Sequence, residues 1–272
     1  MKVSKTSGYF GCVVEGIDLS RPLEDKTVAD LIEVWDQYQF IVFPNQTLSP
    51  DDLERLAQHF GGNYKDLFVA PMDGYEYVCE VRREPEEETA IFGCAWHSDW
   101  FNATKPPNGT LLYAVEVPPI GGDTLFADQY KAYEDLTEDL KQVVNSNLGA
   151  NSARGGYSLV AEKRDKGRSM KLIYSKEAHN FSLHPLSAAH PRTGRRAITA
   201  NQGYTFKIDS LDPKLSEGIL RQLFEHQTQP KYVYKHTWKK NDLILWDNNS
   251  LIHSATGGYK GHRRIMHRVN VK

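Results

Sequence analysis

The sequence predicts a mainly β protein with flanking helices, its strands forming a double-sheet roll. Three observations lead there. Short apolar runs rich in β-branched and aromatic residues recur along the chain. They do not alternate with helical stretches, as a parallel α/β sheet would require. Turn-forming pairs punctuate them: Pro118-Pro119 and Gly121-Gly122 precede Thr124-Leu125-Phe126, and Gly257-Gly258 precedes the last strand.

Val28, Leu31, Ile32, Trp35 and Tyr38 recur at helical spacing, and a strand follows at 40–43. Ser49-Pro50-Asp51-Asp52 supplies a capping hydroxyl, a first-turn proline and two acids ahead of Leu53, Leu56, Ala57 and Phe60, so a second helix starts there. Strands are expected at 75–81, 111–117 and 124–126. Tyr133, Leu136, Leu140, Val143 and Val144 mark a helical stretch over 128–147, with Thr137 as an internal restart. Further strands are expected at 172–174 and 196–200. A helix opens at Asp212-Pro213 and carries Leu215, Ile219, Leu223 and Phe224. Strands at 231–238, 243–246 and 265–271 complete the chain, and residues 1–272 read as a single domain.

Composition narrows the function. Lys and Arg number 33 against 35 Asp and Glu, a net charge of −2, which argues against a nucleic-acid surface. No apolar run approaches the length that spans a bilayer, and the N-terminus lacks a secretory pattern. The three cysteines, Cys12, Cys79 and Cys94, form neither a disulfide framework nor a zinc ribbon. A reduced, cytoplasmic protein is expected. Residues 149–171 form the least regular segment, rich in Gly, Ser and basic side chains, and read as a solvated loop or as a lid over an anionic ligand. The acidic run Glu84, Glu86, Glu87 and Glu88 reads as a solvated turn.

The chemistry centres on His97. Asp99 follows it at i+2, so on extended backbone an imidazole and a carboxylate project to one face. His253 closes a strand-like stretch far away in sequence. One short pair and one remote histidine can build a two-histidine, one-carboxylate face that leaves neighbouring coordination positions open. Arg264 lies eleven residues beyond His253, and Arg268, at an even offset, shares its strand face. Two guanidiniums on one strand can hold two anions.

These residues, in the order His97-x-Asp99, Gly121-Gly122-Asp123-Thr124, Trp246-Asp247-Asn248, His253 and Arg264-Ile265-Met266-His267-Arg268, resemble the taurine dioxygenase type (TauD/TfdA family) of iron(II)/2-oxoglutarate-dependent dioxygenases from about residue 8 to the C-terminus. The resemblance implies a double-stranded β-helix, the jelly-roll or cupin-like fold. It implies that His97, Asp99 and His253 bind Fe(II), and that Thr124 and Arg264 hold the distal carboxylate of 2-oxoglutarate. Arg268 falls where the family's arginine grips the substrate's anion, and Tyr157 and Tyr204 fall at pocket aromatics. With dioxygen, such an enzyme oxidises a C–H bond of a small anionic substrate (a carboxylate, sulfonate or phosphonate) and releases succinate and carbon dioxide. Relatives are commonly homo-oligomers, dimers or tetramers.

The chain departs from the taurine pattern upstream of His97, where Phe92, Gly93 and Cys94 replace polar residues, and near Ala70-Pro71, where the family's substrate histidine is missing. A more apolar wall follows, which argues against taurine itself. Two other readings stay open on the residues alone. The triad could serve a zinc-dependent hydrolase, or the chain could be a non-catalytic β-roll that binds an anion. The first leaves Arg264 and Thr124 without a task, and the second leaves three aligned ligands as coincidence.

Overall fold

The structure is a computed structural model describing residues 1–272. The first half of the chain contains β1 (Lys2–Lys5), β2 (Cys12–Glu15), α1 (Asp25–Tyr38), β3 (Phe40–Phe43), α2 (Pro50–His59), β4 (Asn63–Tyr64), β5 (Cys79–Arg83) and β6 (Gly109–Glu116). The middle contains β7 (Thr124–Asp128), α3 (Gln129–Glu134), α4 (Glu138–Ser146), β8 (Leu148–Ser152), α5 (Arg154–Tyr157), α6 (Leu159–Arg164), β9 (Phe181–Pro185), β10 (Ser187–Ala189), β11 (Arg196–Ile198) and β12 (Thr205–Ile208). The last part contains α7 (Pro213–Gln227), β13 (Val233–His236), β14 (Leu243–Asp247), β15 (Leu251–Ala255) and β16 (Arg264–Val271).

The strands form a jelly roll. A major sheet runs β1-β2-β3-β14-β6-β16-β4, with β5 also on β16, and a minor sheet runs β13-β7-β15. A third sheet, β12-β8-β9, and the β10-β11 pair stand beside them. Strict alternation builds two cores from the major sheet. Ile41, Phe43, Leu111, Tyr113, Leu243 and Leu245 face Leu31 and Trp35 of α1 and Leu53 and Leu56 of α2. Phe40, Val42, Leu112, Ala114, Ile244, Trp246 and Met266 face inward, onto Phe126 and Leu251 of the minor sheet. Burying each large side chain of these layers stabilises the fold by roughly 1.5–3 kcal/mol. The same parity in β16 turns Arg264, Met266 and Arg268 into the roll, all of them buried.

The helix signals are borne out. Ser49 and Asp52 form a reciprocal capping box at α2. Thr137 caps α4, so the expected helical stretch divides there. Asp212 accepts from the Lys214 and Leu215 amides at the start of α7.

Several strand boundaries differ. The strand expected at 75–81 begins only at Cys79, because the chain first turns at Met72–Tyr75. Of 172–174 only Leu172 bridges, to Val69. The strand expected at 231–238 is shortened at its start by a 3-10 turn, Pro230–Tyr232.

Segment 149–171 is not an irregular loop. It contains most of β8, then α5 and α6. Gly149, Ala150, Asn151 and Ser152 are poor strand formers, yet β8 is paired on both sides, by β9 and β12, and tertiary pairing overrides propensity. Nor is the acidic run wholly solvated. Glu87 is only 5% exposed and accepts hydrogen bonds from the Ser169 amide (2.8 Å) and hydroxyl (2.5 Å) and from Arg83 Nη1 (3.3 Å). No helix is long and apolar enough to cross a membrane.

Candidate active site

His97 and His253 face each other across an isolated antiparallel bridge. The His97 amide donates to the His253 carbonyl (3.0 Å) and the His253 amide to the His97 carbonyl (2.7 Å). Directly opposed residues project side chains to the same side, and the two ring centroids lie 4.2 Å apart. Asp99, two residues on, brings Oδ1 to 3.7 Å from His97 Nε2 and 3.9 Å from His253 Nε2. One ligand atom from each residue lies within 4.8 Å of the others.

Neighbouring groups fix each of these side chains. His97 Nδ1 donates to the Ala95 carbonyl (2.7 Å), which leaves a lone pair on Nε2. The Thr110 hydroxyl donates to Asp99 Oδ2 (2.6 Å), so Oδ1 is the free oxygen. Asn248 accepts from the Asp99 amide (3.3 Å) and from Trp246 Nε1 (3.1 Å), and its Nδ2 donates to the Thr110 hydroxyl (3.2 Å). Gly203 packs so tightly that a Cβ there would lie 2.7 Å from His97 Cβ.

Electrostatics prepare the same arrangement. Burial and the adjacent His97 push the His253 pKa down to about 3, and burial lowers that of His97. Burial alone would raise the Asp99 carboxyl, but His253, Arg268, His97 and the Thr110 hydroxyl together hold it below the usual carboxylate range. Two neutral imidazole nitrogens and one carboxylate oxygen, converging from one side, fit a divalent iron and leave its other side open.

Arg264 is 7% exposed, its Nε has no partner, and no carboxylate pairs with it. Burial lowers its pKa, only partly offset by Tyr259 and Asp123. An unpaired buried guanidinium is costly unless a ligand brings the missing anion. Thr124 is buried, and its Oγ1 accepts from Trp238 Nε1 (2.9 Å), leaving the hydroxyl proton to donate elsewhere. Gly121 and Gly122 make this corner possible. Both have positive φ (+70° and +68°); a Cβ on Gly121 would meet the Gly257 carbonyl at 2.7 Å, and one on Gly122 would press on Arg264 at 3.3 Å.

A pocket of about 360 Å³ opens beside the triad, with His97, Asp99, Tyr157, Tyr204 and Arg268 in its walls. Tyr157 stacks on Phe68 at 5.2 Å, and Tyr204 meets His97 edge-on at 6.3 Å. Phe92 and Cys94, from the segment where the sequence becomes apolar, line it as well. The structure thus brings His97, Asp99, His253, Arg268, Tyr157 and Tyr204 together, with Arg264 in a small adjoining cavity beside Phe92.

One partner is not visible in the sequence. Arg268 Nη2 donates to Asp66 Oδ1 (2.5 Å), which also accepts from Trp100 Nε1 (2.5 Å) and Asn270 Nδ2 (3.1 Å). Arg268 Nη1 lies 3.7 Å from Asp99 Oδ1. Burial opposes its charge, but Asp66 and Asp99 keep the guanidinium protonated. Asp66, Thr110 and Gly203 carry no sequence signal of their own, since each matters only through a neighbour distant in the chain. Asn248 stands in a motif, but its contact with the Asp99 amide is tertiary.

Residues 2–270 match the family described as taurine catabolism dioxygenase TauD, TfdA family. The chain is 32% identical to pentalenolactone F synthase of Streptomyces avermitilis, covering 99% of this chain and 93% of that protein. It is 30% identical to an (S)-phenoxypropionate/alpha-ketoglutarate-dioxygenase of Sphingobium herbicidovorans, covering 97% and 92%. The crystal structure of AAD-2 in complex with Mn(II) and N-oxalylglycine superposes with a TM-score of 0.84 at 25% identity, covering 99% of this chain and 96% of that one. Sequence match and assembled triad agree, and the chain belongs to the TauD/TfdA family, whose dioxygenases use iron(II), 2-oxoglutarate and dioxygen.

Proposed function

We propose that this dioxygenase oxidises, most simply by hydroxylation, a C–H bond of a small anionic organic substrate, a carboxylate, sulfonate or phosphonate. One observation carries the assignment of roles. The His97, Asp99 and His253 triad stands in the same roll as a buried Arg264 that has no carboxylate of its own. The substrate class is supported by the relative named for phenoxypropionate and by another named alkylsulfatase, from Acinetobacter baylyi.

In this reading His97, Asp99 and His253 hold the iron, while Arg264 and Thr124 hold the distal carboxylate of 2-oxoglutarate. Bound iron supplies the activation of dioxygen that couples decarboxylation of 2-oxoglutarate to oxidation of the substrate. Thr110 and Asn248 orient Asp99, and the Ala95 carbonyl orients His97. Tyr157 and Tyr204 line the substrate pocket and exclude water, and Arg268 contacts the substrate beside the metal. Asp66 matches the charge of Arg268, so this arginine offers hydrogen bonds more than net charge. The zinc hydrolase and the silent roll find no support: the first gives the buried Arg264 no anion to hold, and the second leaves the converging His97, Asp99 and His253 without a task.

Residues 1–272 read as one dioxygenase domain, supported by β1 and β16 sharing the major sheet. The 149–171 segment reads as a cover for the site, since Tyr157, Arg164 and Arg168 reach the pocket from it. The unpaired cysteines support a reducing, cytoplasmic setting. Assembly into a homodimer or homotetramer follows from the family resemblance and is read by sedimentation.

The test supplies iron(II), 2-oxoglutarate and oxygen and measures succinate with a panel of acids. Acid-stimulated succinate is expected from the wild type, lost in Asp99→Ala, with Arg268→Ala chiefly raising KM for the acid. An iron-loaded wild type that makes no succinate above background with any acid would refute the assignment.

A further inference from the structure

Arg168 lies in the basic segment that the sequence reads as a solvated loop or as a lid over an anionic ligand, and its side chain is only 7% exposed and lines the pocket. Its Nη2 donates to the Ala90 carbonyl (3.0 Å) and to Asp165 Oδ1 (3.2 Å). Nη1 lies 3.7 Å from Glu87 Oε1, outside hydrogen-bond range, and the buried Nε has no partner. Nε and Nη1 therefore make no hydrogen bond within the protein.

The charges at the two ends of the pocket differ. Around Arg168, the carboxylates of Glu87 and Asp165 face three guanidiniums, because Arg83 also pairs with Glu87 and Arg164 with Asp165. One positive charge is left over. Arg268, by contrast, is bound to Asp66, one carboxylate to one guanidinium, and its other neighbour, Asp99, is the carboxylate that would hold the metal. Phe92 separates the two ends, its ring centroid about 6 Å from each guanidinium (6.0 Å from Arg168, 5.9 Å from Arg268). Arg168 itself makes no ion pair with Asp99.

We propose that Arg168 binds the anionic end of the substrate and so sets specificity, which leaves the carbon chain to run past Phe92 to the metal. The inference rests on the dioxygenase reading above and refines it: the oxidised carbon is remote from the anion rather than next to it. Acids with an apolar chain between anion and reacting carbon are the class that fits.

The test compares octanoate with its neutral counterpart octanamide, by anaerobic calorimetry on protein loaded with iron(II) and 2-oxoglutarate. The wild type is expected to favour the acid by about tenfold or more, the worth of one charged hydrogen bond. Arg168→Gln should abolish that preference while octanamide affinity stays unchanged, a control that the pocket is intact. Arg168→Lys, which keeps the charge but loses the fork, should retain part of it. A wild type that binds both equally or binds neither, a preference that survives in Arg168→Gln, or one abolished by Arg268→Gln instead, overturns the proposal. Succinate release by the wild type reads the dioxygenase assignment separately from this comparison.

Discussion

The His97 and His253 main chains exchange two hydrogen bonds, of 3.0 and 2.7 Å, so the metal face is held by backbone pairing between segments more than 150 residues apart in sequence. The imidazoles are thus placed by the bridge itself, and Asp99 need only follow at the next like-facing position. Perturbing what packs around this bridge should damage the metal site before it damages the fold.

Gly203→Ala tests that directly. The added methyl would sit 2.7 Å from His97 Cβ, and the position has no left-handed φ to confuse the effect. Overpacking of this kind costs roughly 1–3 kcal/mol, and the displaced imidazole should lower metal affinity by about tenfold or more. Titration with iron(II) under anaerobic conditions reads the affinity, and wild-type affinity in the variant would contradict this account of the packing.

Thr110→Val keeps the shape of the side chain but removes the donor to Asp99 Oδ2 and strands the Asn248 amide. Metal affinity should fall by roughly 10–100-fold, with stability lower by about 1–3 kcal/mol. The pair of measurements is metal titration and urea unfolding. Equal affinity in the two proteins would mean that Asp99 is oriented by Asn248 alone.

Arg264→Met should separate binding from stability. It removes a buried charge without a counter-ion, so the metal-free protein should be as stable as the wild type or more so, by about 1 kcal/mol. The KM for 2-oxoglutarate should rise by roughly 10–100-fold as the charged hydrogen bonds are lost. A marked drop in thermal stability would show that Arg264 has a structural partner after all.

The pH dependence has a definite sign. His253 titrates near pH 3 in the folded protein against 6.5 for a free imidazole, so between those values the unfolded chain binds the extra proton. Stability of the metal-free protein is therefore full above about pH 6.5 and falls as pH drops towards 3. For this single proton the slope is at most about 1.4 kcal/mol per pH unit. The depressed Asp99 carboxyl acts in the same direction. Urea midpoints across this range should decline, and less steeply in His253→Asn; a midpoint that rises on acidification would reverse the assignment.

Much of the architecture is legible in the linear chain because it depends on local chemistry. Ser49 and Asp52, Thr137, and Asp212 with Pro213 mark helix starts through hydrogen bonds spanning two or three residues. The alternation along β14 and β16 assigns inner and outer faces, which is why Arg264 and Arg268 could be placed on one side from their spacing. The His-x-Asp pair, the remote His253 and the glycine turn are likewise readable as a pattern, and with them the iron- and 2-oxoglutarate-dependent chemistry of the family.

What the chain alone determined, then, was the order of its elements and the identity of its reactive groups. Only the folded molecule decided how their charges are balanced. Asp66 reaches Arg268 from another strand neighbourhood, Glu87 leaves its acidic run to meet Ser169 and Arg83, and β8 forms from weak strand residues because two neighbours pair with it. The physical reason is common to all three: burial sets the strength of a charge or a backbone hydrogen bond, and burial is a property of residues far apart in sequence.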